Sequence, residues 1–580
     1  MCVACAPGLR LLGQTMGGKL GGGGLGFAAD GSVRGLGSGA ASGAARSYEG
    51  ANVILRGGPV LTMNGLQADA IALVHGKVLA VGRWDEVAAH RGKSTQIVEL
   101  DGRAVLPGFV EPHVHLIFTA LTENLCVDLS PVAAPTKDAA LAAMREACER
   151  APRGEWVLGF GFDPSRLFPD HPGLTGDELE SASGSRPVFV LNQSGHIGYV
   201  NHAALAAASI DAGTLDPPAA SYVRDAAGRP TGELHEPPAF AAFAQYFPQP
   251  SPSEVAELCR KTMRQWASRG CTSIFDCGIG SVGGEGDVAL MRALAGEPHA
   301  PLRLRGALVP EVATAIGAKP EDRDGELGLC AIKFWADGST QGFTGAVTEP
   351  FLGGRGRGVL NHSTDELCQQ MGAFHRDGWQ LVVHANGDRA IDQVLDVYEA
   401  ILEGTPAAGR GHRIDHFTVA REDQVLRAAS LGLSISHTIG HVHYWGRAFR
   451  EHVLGPERAE RILPLAEDFR LGAGASLHSD SPVTPVSPLL YLRSAVTRLI
   501  GEDGPVLGEA QRITLEEALE AVTWRAAEHA RLERSAGRLA IGMNADLVVL
   551  DRDPHDVDPA QLHRLEVTET WLAGRRQAWS

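Results

Sequence analysis

No apolar run in the 580-residue chain approaches the roughly 20 residues a membrane helix needs, so no membrane-spanning segment is expected. Excess positive charge is missing too: 52 Lys and Arg face 69 Asp and Glu, a net charge of −17. Nucleic acids and anionic lipid surfaces are bound by basic faces, so neither is an expected partner. Cysteine is sparse. The nine present are odd in number and thinly spread, which reads as reduced, buried thiols of a cytoplasmic protein rather than a disulfide framework. Cys2 and Cys5 alone have Cys-x-x-Cys spacing, a weak zinc motif without a second Cys or His pair. No repeat of roughly 20–50 residues is found, which excludes a solenoid.

What is present is an ordinary globular composition, 44% apolar and 21% charged. Length alone suggests several units, although a barrel enzyme with insertions can exceed about 400 residues as one unit. Residues 1–48 are low-complexity, with Gly21 to Gly24 and a Gly/Ala/Ser run from Gly35 to Ala45. Such a segment buries too little surface to offset its ordering entropy and is expected to be a disordered tail. It has no charged region followed by a clean apolar stretch, so a standard export signal is not expected.

From Ala51 short β runs begin, with His75-Gly76 as a tight turn and a further hairpin expected over Val98 to Val105. The pattern returns at Ala545–Asp551 and Val567–Trp571. A small β-sandwich built from both chain ends is therefore expected, over 49–106 and 531–580. Between them, apolar runs such as Leu302 to Leu308 and Leu381 to Val383 alternate with helical stretches such as Ser253 to Arg269 and Arg389 to Leu402. That alternation argues for parallel βα units. The expected class is α/β, with a TIM-like (β/α)8 barrel over 107–530 and an insertion around 120–270.

The chemistry lies in what ends those strands. Pro107 to His115 is an apolar run closing on His113-Val114-His115, and a period of two puts both histidines on one face. Lys333 sits in the apolar run Ile332-Lys333-Phe334, where an ammonium is costly; carbamylated, it would become an oxygen ligand able to bridge two metals. His384 and His416 end two further strands, and Asp480 another. Five strand ends carrying His-x-His, Lys, His, His and Asp in order point to a metal site at the C-terminal mouth of a barrel.

On these residues the chain resembles the amidohydrolase superfamily, in particular its amidohydrolase-3 branch of YtcJ-like and N-substituted formamide deformylase-like proteins. The motifs are PGFVEPHVHL at 107–116, KFWADGSTQGFTG at 333–345, HANGDRAID at 384–392, HSDSPVTP at 478–485 and GMNADLVVLDRDP at 542–554, and the likeness spans roughly Ala51 to Ala573. The resemblance implies metal ligation by His113, His115, Lys333 as a carbamate, His384, His416 and Asp480, with Asp480 also the general base. It further implies one or two divalent ions, zinc being favoured by an imidazole and carboxylate set. The reaction expected from it is hydrolysis of a C–N bond in a small amide or formamide. His196 is the counterpart of a substrate-contacting histidine in the family.

Alternation also aims His478, Trp335 and Asp337 at the site, as substrate-binding candidates; Asp337-Gly338 equally suits a chain turn. The His- and aromatic-rich stretch Ser436 to Gly446 reads as a substrate-pocket wall. Deamination of a heterocycle is the competing chemistry on such a fold, but it typically uses a glutamate near the His384 position, where this chain has Asp388 instead. An inactive barrel serving as a binding protein is the non-enzyme alternative, disfavoured because every ligand position is filled. A homodimer is the default assembly.

Overall fold

The computed structural model describes residues 50–579 apart from 168–172, 194, 196, 219, 322–326 and 404–410. The tail with Cys2 and Cys5, and the candidate His196, lie outside the described residues.

Eight parallel strands form the central sheet: β1 Phe109–Val114, β2 Cys271–Ile279, β3 Arg303–Leu308, β4 Gly328–Trp335, β5 Gln380–Ala385, β6 Arg413–His416, β7 Ser434–Thr438 and β8 Ala475–His478. They are joined in sequence order, with helices between most of them. Every residue of β1, β2, β4, β5, β6 and β8 is buried, which is why these strands read as continuous apolar runs rather than alternating ones. The last strand returns to the first at the upper rim. The Asp480 amide donates to His113 O and the His115 amide to Ser481 O, both at 3.1 Å. This seam closes the TIM-like barrel and sets the Asp480 backbone beside the His-x-His pair.

The opposite end is plugged. Ala526, Ala527, Ala530 and Leu532 pack on Val110, Phe275, Ala307 and Val382. Arg305 donates to the carbonyls of Ala530 and Arg531, and Arg413 to that of His529, at 3.0–3.2 Å. Those carbonyls satisfy two guanidinium groups that burial would otherwise penalise heavily.

Strands from both chain ends share one further eight-stranded sheet, in which Ala104–Pro107 pairs with both Val53–Leu61 and Leu547–Leu550. His75 and Gly76 both have positive φ, 47° and 78°, as a two-residue hairpin turn requires. The hairpin expected over Val98 to Val105 does not form. Gln96–Glu99 and Ala104–Pro107 each run parallel to a different part of Val53–Leu61, on either side of a bulge in that strand. The turn at Asp101-Gly102 thus feeds two partners of one strand instead of pairing its own flanks.

A six-stranded sheet between Cys126 and His235 is inserted after the first barrel helix. It reaches the barrel rim through Gln193, whose Nε2 donates to Val483 O at 2.7 Å. No disulfide links the described cysteines, and among the described residues no helix is long and apolar enough to cross a membrane.

Candidate metal centre

The strand ends converge as the spacing predicts, with help from the backbone. In β6, alternation turns Arg413 and Asp415 to one face, which should send His416 to the other. His416 instead takes φ 75°, and Asp480 takes φ 57° just past β8. Left-handed backbone is uncommon for residues other than glycine and is sustained only where surrounding structure enforces it. Here it lets both Asp415 and His416 face the barrel mouth.

Asp480 is the meeting point. Its Oδ1 lies 3.2 Å from His113 Nε2 and 3.3 Å from His115 Nε2, and its Oδ2 lies 3.9 Å from His416 Nδ1. The His384 and His416 rings are 4.3 Å apart, centre to centre. Below them, Asp415 Oδ2 lies 2.7 Å from His113 Nδ1 and 3.4 Å from Lys333 Nζ. Arg413 Nε completes the set, 3.0 Å from Asp415 Oδ1. All of these side chains are buried.

The electrostatics are those of a hole arranged around positive charge. Burial would raise Asp415, yet Arg413, Lys333 and His113 hold it well below the usual carboxylate range. Burial favours neutral His113, but Cys277, Asp480 and Asp415 hold its pKa well above normal. His384 and His416 go the other way. Burial, reinforced by Lys333 for the first and by His384 for the second, keeps them neutral, the form in which imidazole binds metal.

These residues fit a divalent cation. His416 Nδ1 meets Thr438 Oγ1 at 2.8 Å, and His384 Nε2 meets Gly338 O at 2.9 Å. Each ring is left with one fully buried nitrogen that has no hydrogen-bond partner among the described residues, His416 Nε2 and His384 Nδ1. A polar atom stranded in this way costs about 1–3 kcal/mol unless something coordinates it. His113, His416 and Asp480 offer ligand atoms within 4.8 Å of one another. A second trio, His113, Cys277 and Asp415, is equally close. It already faces Arg413 Nη2, 3.0 Å from Cys277 Sγ, as well as Lys333, and both charges repel a cation.

The remaining candidates take different positions. His478 is buried and stacks on His113 at 4.6 Å, forming a wall of the cluster. Trp335 stands beside Lys333, whose Nζ is 5.8 Å from its ring centre. Asp337 is engaged by backbone: its Oδ1 accepts from Asn386 N, and its Oδ2 from Ala346 N and Gly387 N, at 2.8–2.9 Å. It ties the loop after β4 to the end of β5, close to the turn role open to Asp-Gly. Asp388 accepts from Thr348 N and meets Arg421, so it serves a loop, not the centre.

Four contributors escaped the sequence reading. Asp415 and Arg413 lie next to a recognised histidine, and their period-two spacing was the available signal. Glu111 accepts from Ser479 N and Tyr491 Oη, bracing β1 against the Asp480 loop. Asp276 accepts from Leu116 N at 2.8 Å and so anchors the chain just after His115. Both acids sit in apolar strands, where a buried carboxylate implies a partner that sequence does not name.

A parallel eight-stranded barrel with histidines and a carboxylate gathered at the C-terminal strand ends defines a barrel with a built cation pocket. The chain belongs to the amidohydrolase family, which it matches over residues 96–577. It is 31% identical over 539 residues to YtcJ of Bacillus subtilis (strain 168), covering 90% of this chain and 98% of that one. It is 26% identical over 521 residues to N-substituted formamide deformylase of Arthrobacter pascens, covering 87% and 94%. Among solved structures, an uncharacterized metal-dependent hydrolase from Pyrococcus horikoshii OT3 shares the fold, with a TM-score of 0.69 at 24% identity over 87% of this chain and 99% of that one.

Proposed function

We propose that the protein is a metal-dependent hydrolase that opens a C–N bond in a small amide or formamide, with Asp480 as general base. The observation that carries this reading is the convergence of His113 Nε2 and His115 Nε2 on one Asp480 oxygen, at 3.2 and 3.3 Å, beside buried imidazole nitrogens that lack partners. Likeness to a formamide deformylase over 87% of the chain supports the bond class.

His113, His115, His384, His416 and Asp480 would hold the ion, with zinc favoured by this nitrogen and oxygen donor set. When bound, a divalent cation polarises a carbonyl and lowers the pKa of water towards about 7. The chain's own residues do the rest. Asp415 Oδ2, 2.7 Å from His113 Nδ1, holds that ring with Nε2 turned to the site. Thr438 holds the His416 ring in the same manner. Asp480 takes the proton of the attacking water and returns it to the leaving nitrogen, a role worth about 10²–10⁴ in rate. Lys333 stays an ammonium paired with Asp415, and the site holds one ion per chain.

The test is a hydrolysis panel of N-substituted formamides, N-acyl amino acids and cyclic amides, run with and without chelator. Chelator-sensitive release of amine from at least one class is expected. Turnover that ignores the chelator, or release of ammonia from a heterocycle alone, would replace this reading.

A further inference from the structure

Beside the barrel mouth, between the rim and the inserted sheet, lies a cavity of about 640 Å³. The segment Ser481–Pro485, which begins one residue beyond Asp480, forms part of its wall, together with Gln193, which is hydrogen-bonded to Val483. A molecule filling the cavity therefore abuts the catalytic loop.

Four cations line it, and three of them are engaged. Lys261 donates to Asn124 Oδ1, Arg264 pairs with Glu257, and Arg269 donates to Val486 O, at 2.7–3.0 Å. Arg166 differs. Its guanidinium carbon lies 4.7 Å from the Trp445 ring centre and 5.3 Å from that of Tyr444. Among the described residues it makes no side-chain hydrogen bond and no ion pair. The neighbouring acid, Asp163, is occupied: Oδ1 accepts from Ser165 and Oδ2 from Trp445 Nε1 at 2.9 Å. An arginine with five donors, stacked on two rings and with no hydrogen-bond acceptor among the described residues, presents an anion site.

A second group points the same way. Gln193 is only 6% exposed, and among the described residues its Oε1 has no hydrogen-bond partner while Nε2 is fixed on Val483 O. That buried acceptor calls for a donor. The cavity thus offers one unengaged cation and one unengaged acceptor, next to the loop that carries Asp480.

We propose that Arg166 binds the carboxylate of an N-acyl amino acid, with Gln193 Oε1 receiving an N–H of the same molecule; this rests on the hydrolase reading above. A single carboxylate suits a single free guanidinium, whereas a phosphate would call for more positive charge than Glu123 and Asp128 in the same cavity leave available.

The test is direct binding to the metal-loaded, full-length Asp480→Asn protein, using N-formylphenylalanine and its uncharged counterpart N-formyl-2-phenylethylamine. The acid should bind at least about 10-fold tighter, as hydrogen bonds to a charged group require. Adding Arg166→Gln should erase that preference, and Arg166→Lys should retain part of it. Equal binding of the two probes, or a preference that survives Arg166→Gln, overturns the proposal. If the Gln variant does not fold, an undiminished preference in Arg166→Lys overturns it equally. Because binding is read without turnover, tight acid binding by a protein that hydrolyses no amide would sink the hydrolase reading and leave the Arg166 site standing.

Discussion

Asp415 Oδ2 sits 2.7 Å from His113 Nδ1 and 3.4 Å from Lys333 Nζ, so one carboxylate faces both an imidazole of the cluster and a buried lysine. Asp415→Asn removes the negative charge that holds the His113 ring. Metal affinity should fall by about 10–100-fold, the usual cost of losing such a partner. Competition against a metallochromic chelator measures it, and unchanged affinity would show that Asp415 orients nothing.

Lys333 carries the second prediction. With its ammonium beside Asp415, the native intact mass should equal that of the unmodified chain, with one metal per chain by elemental analysis. A mass higher by one carbon dioxide together with two metals would establish a carbamate bridge instead.

Away from the centre, Asp287 gives a pH test. Its carboxylate accepts from the amides of Gly280, Val282 and Gly283, yet burial raises its pKa from 3.8 to about 7. A carboxyl raised on folding stabilises the native state fully below its unfolded pKa and loses that contribution as pH rises through the folded value. Urea melts should therefore show wild type losing stability relative to Asp287→Asn between about pH 4 and 7. A difference that is flat with pH, or of opposite slope, contradicts this assignment.

Asp480→Asn tests the proposed base. It keeps a ligating oxygen but cannot take a proton, so kcat should drop about 10²–10⁴-fold with metal retained. A kcat near wild type would move the base elsewhere.

Much of this was legible in the sequence. The barrel showed itself because strands buried on both faces are apolar throughout, so any His, Lys or Asp ending one stands out against its own strand. His113, His115, Lys333, His384, His416 and Asp480 are brought together on that ground. Asp415 was hidden because alternation places it opposite His416, and only the left-handed turn at His416 brings both to one mouth. Glu111 and Asp276 were hidden because their partners, Tyr491 and the Leu116 amide, lie 380 and 160 residues away in sequence. The paired expectation for Val98 to Val105 failed because a bulge in a third strand offered both segments a better partner.

The central claim is that a cation held at the strand ends drives hydrolysis. Its most direct test is to strip the purified protein with chelator, confirm by circular dichroism that it stays folded, and titrate zinc back while following amide cleavage. Activity should vanish in the stripped protein and return in proportion to bound metal, saturating near one ion per chain. Full activity in metal-free protein would contradict the account.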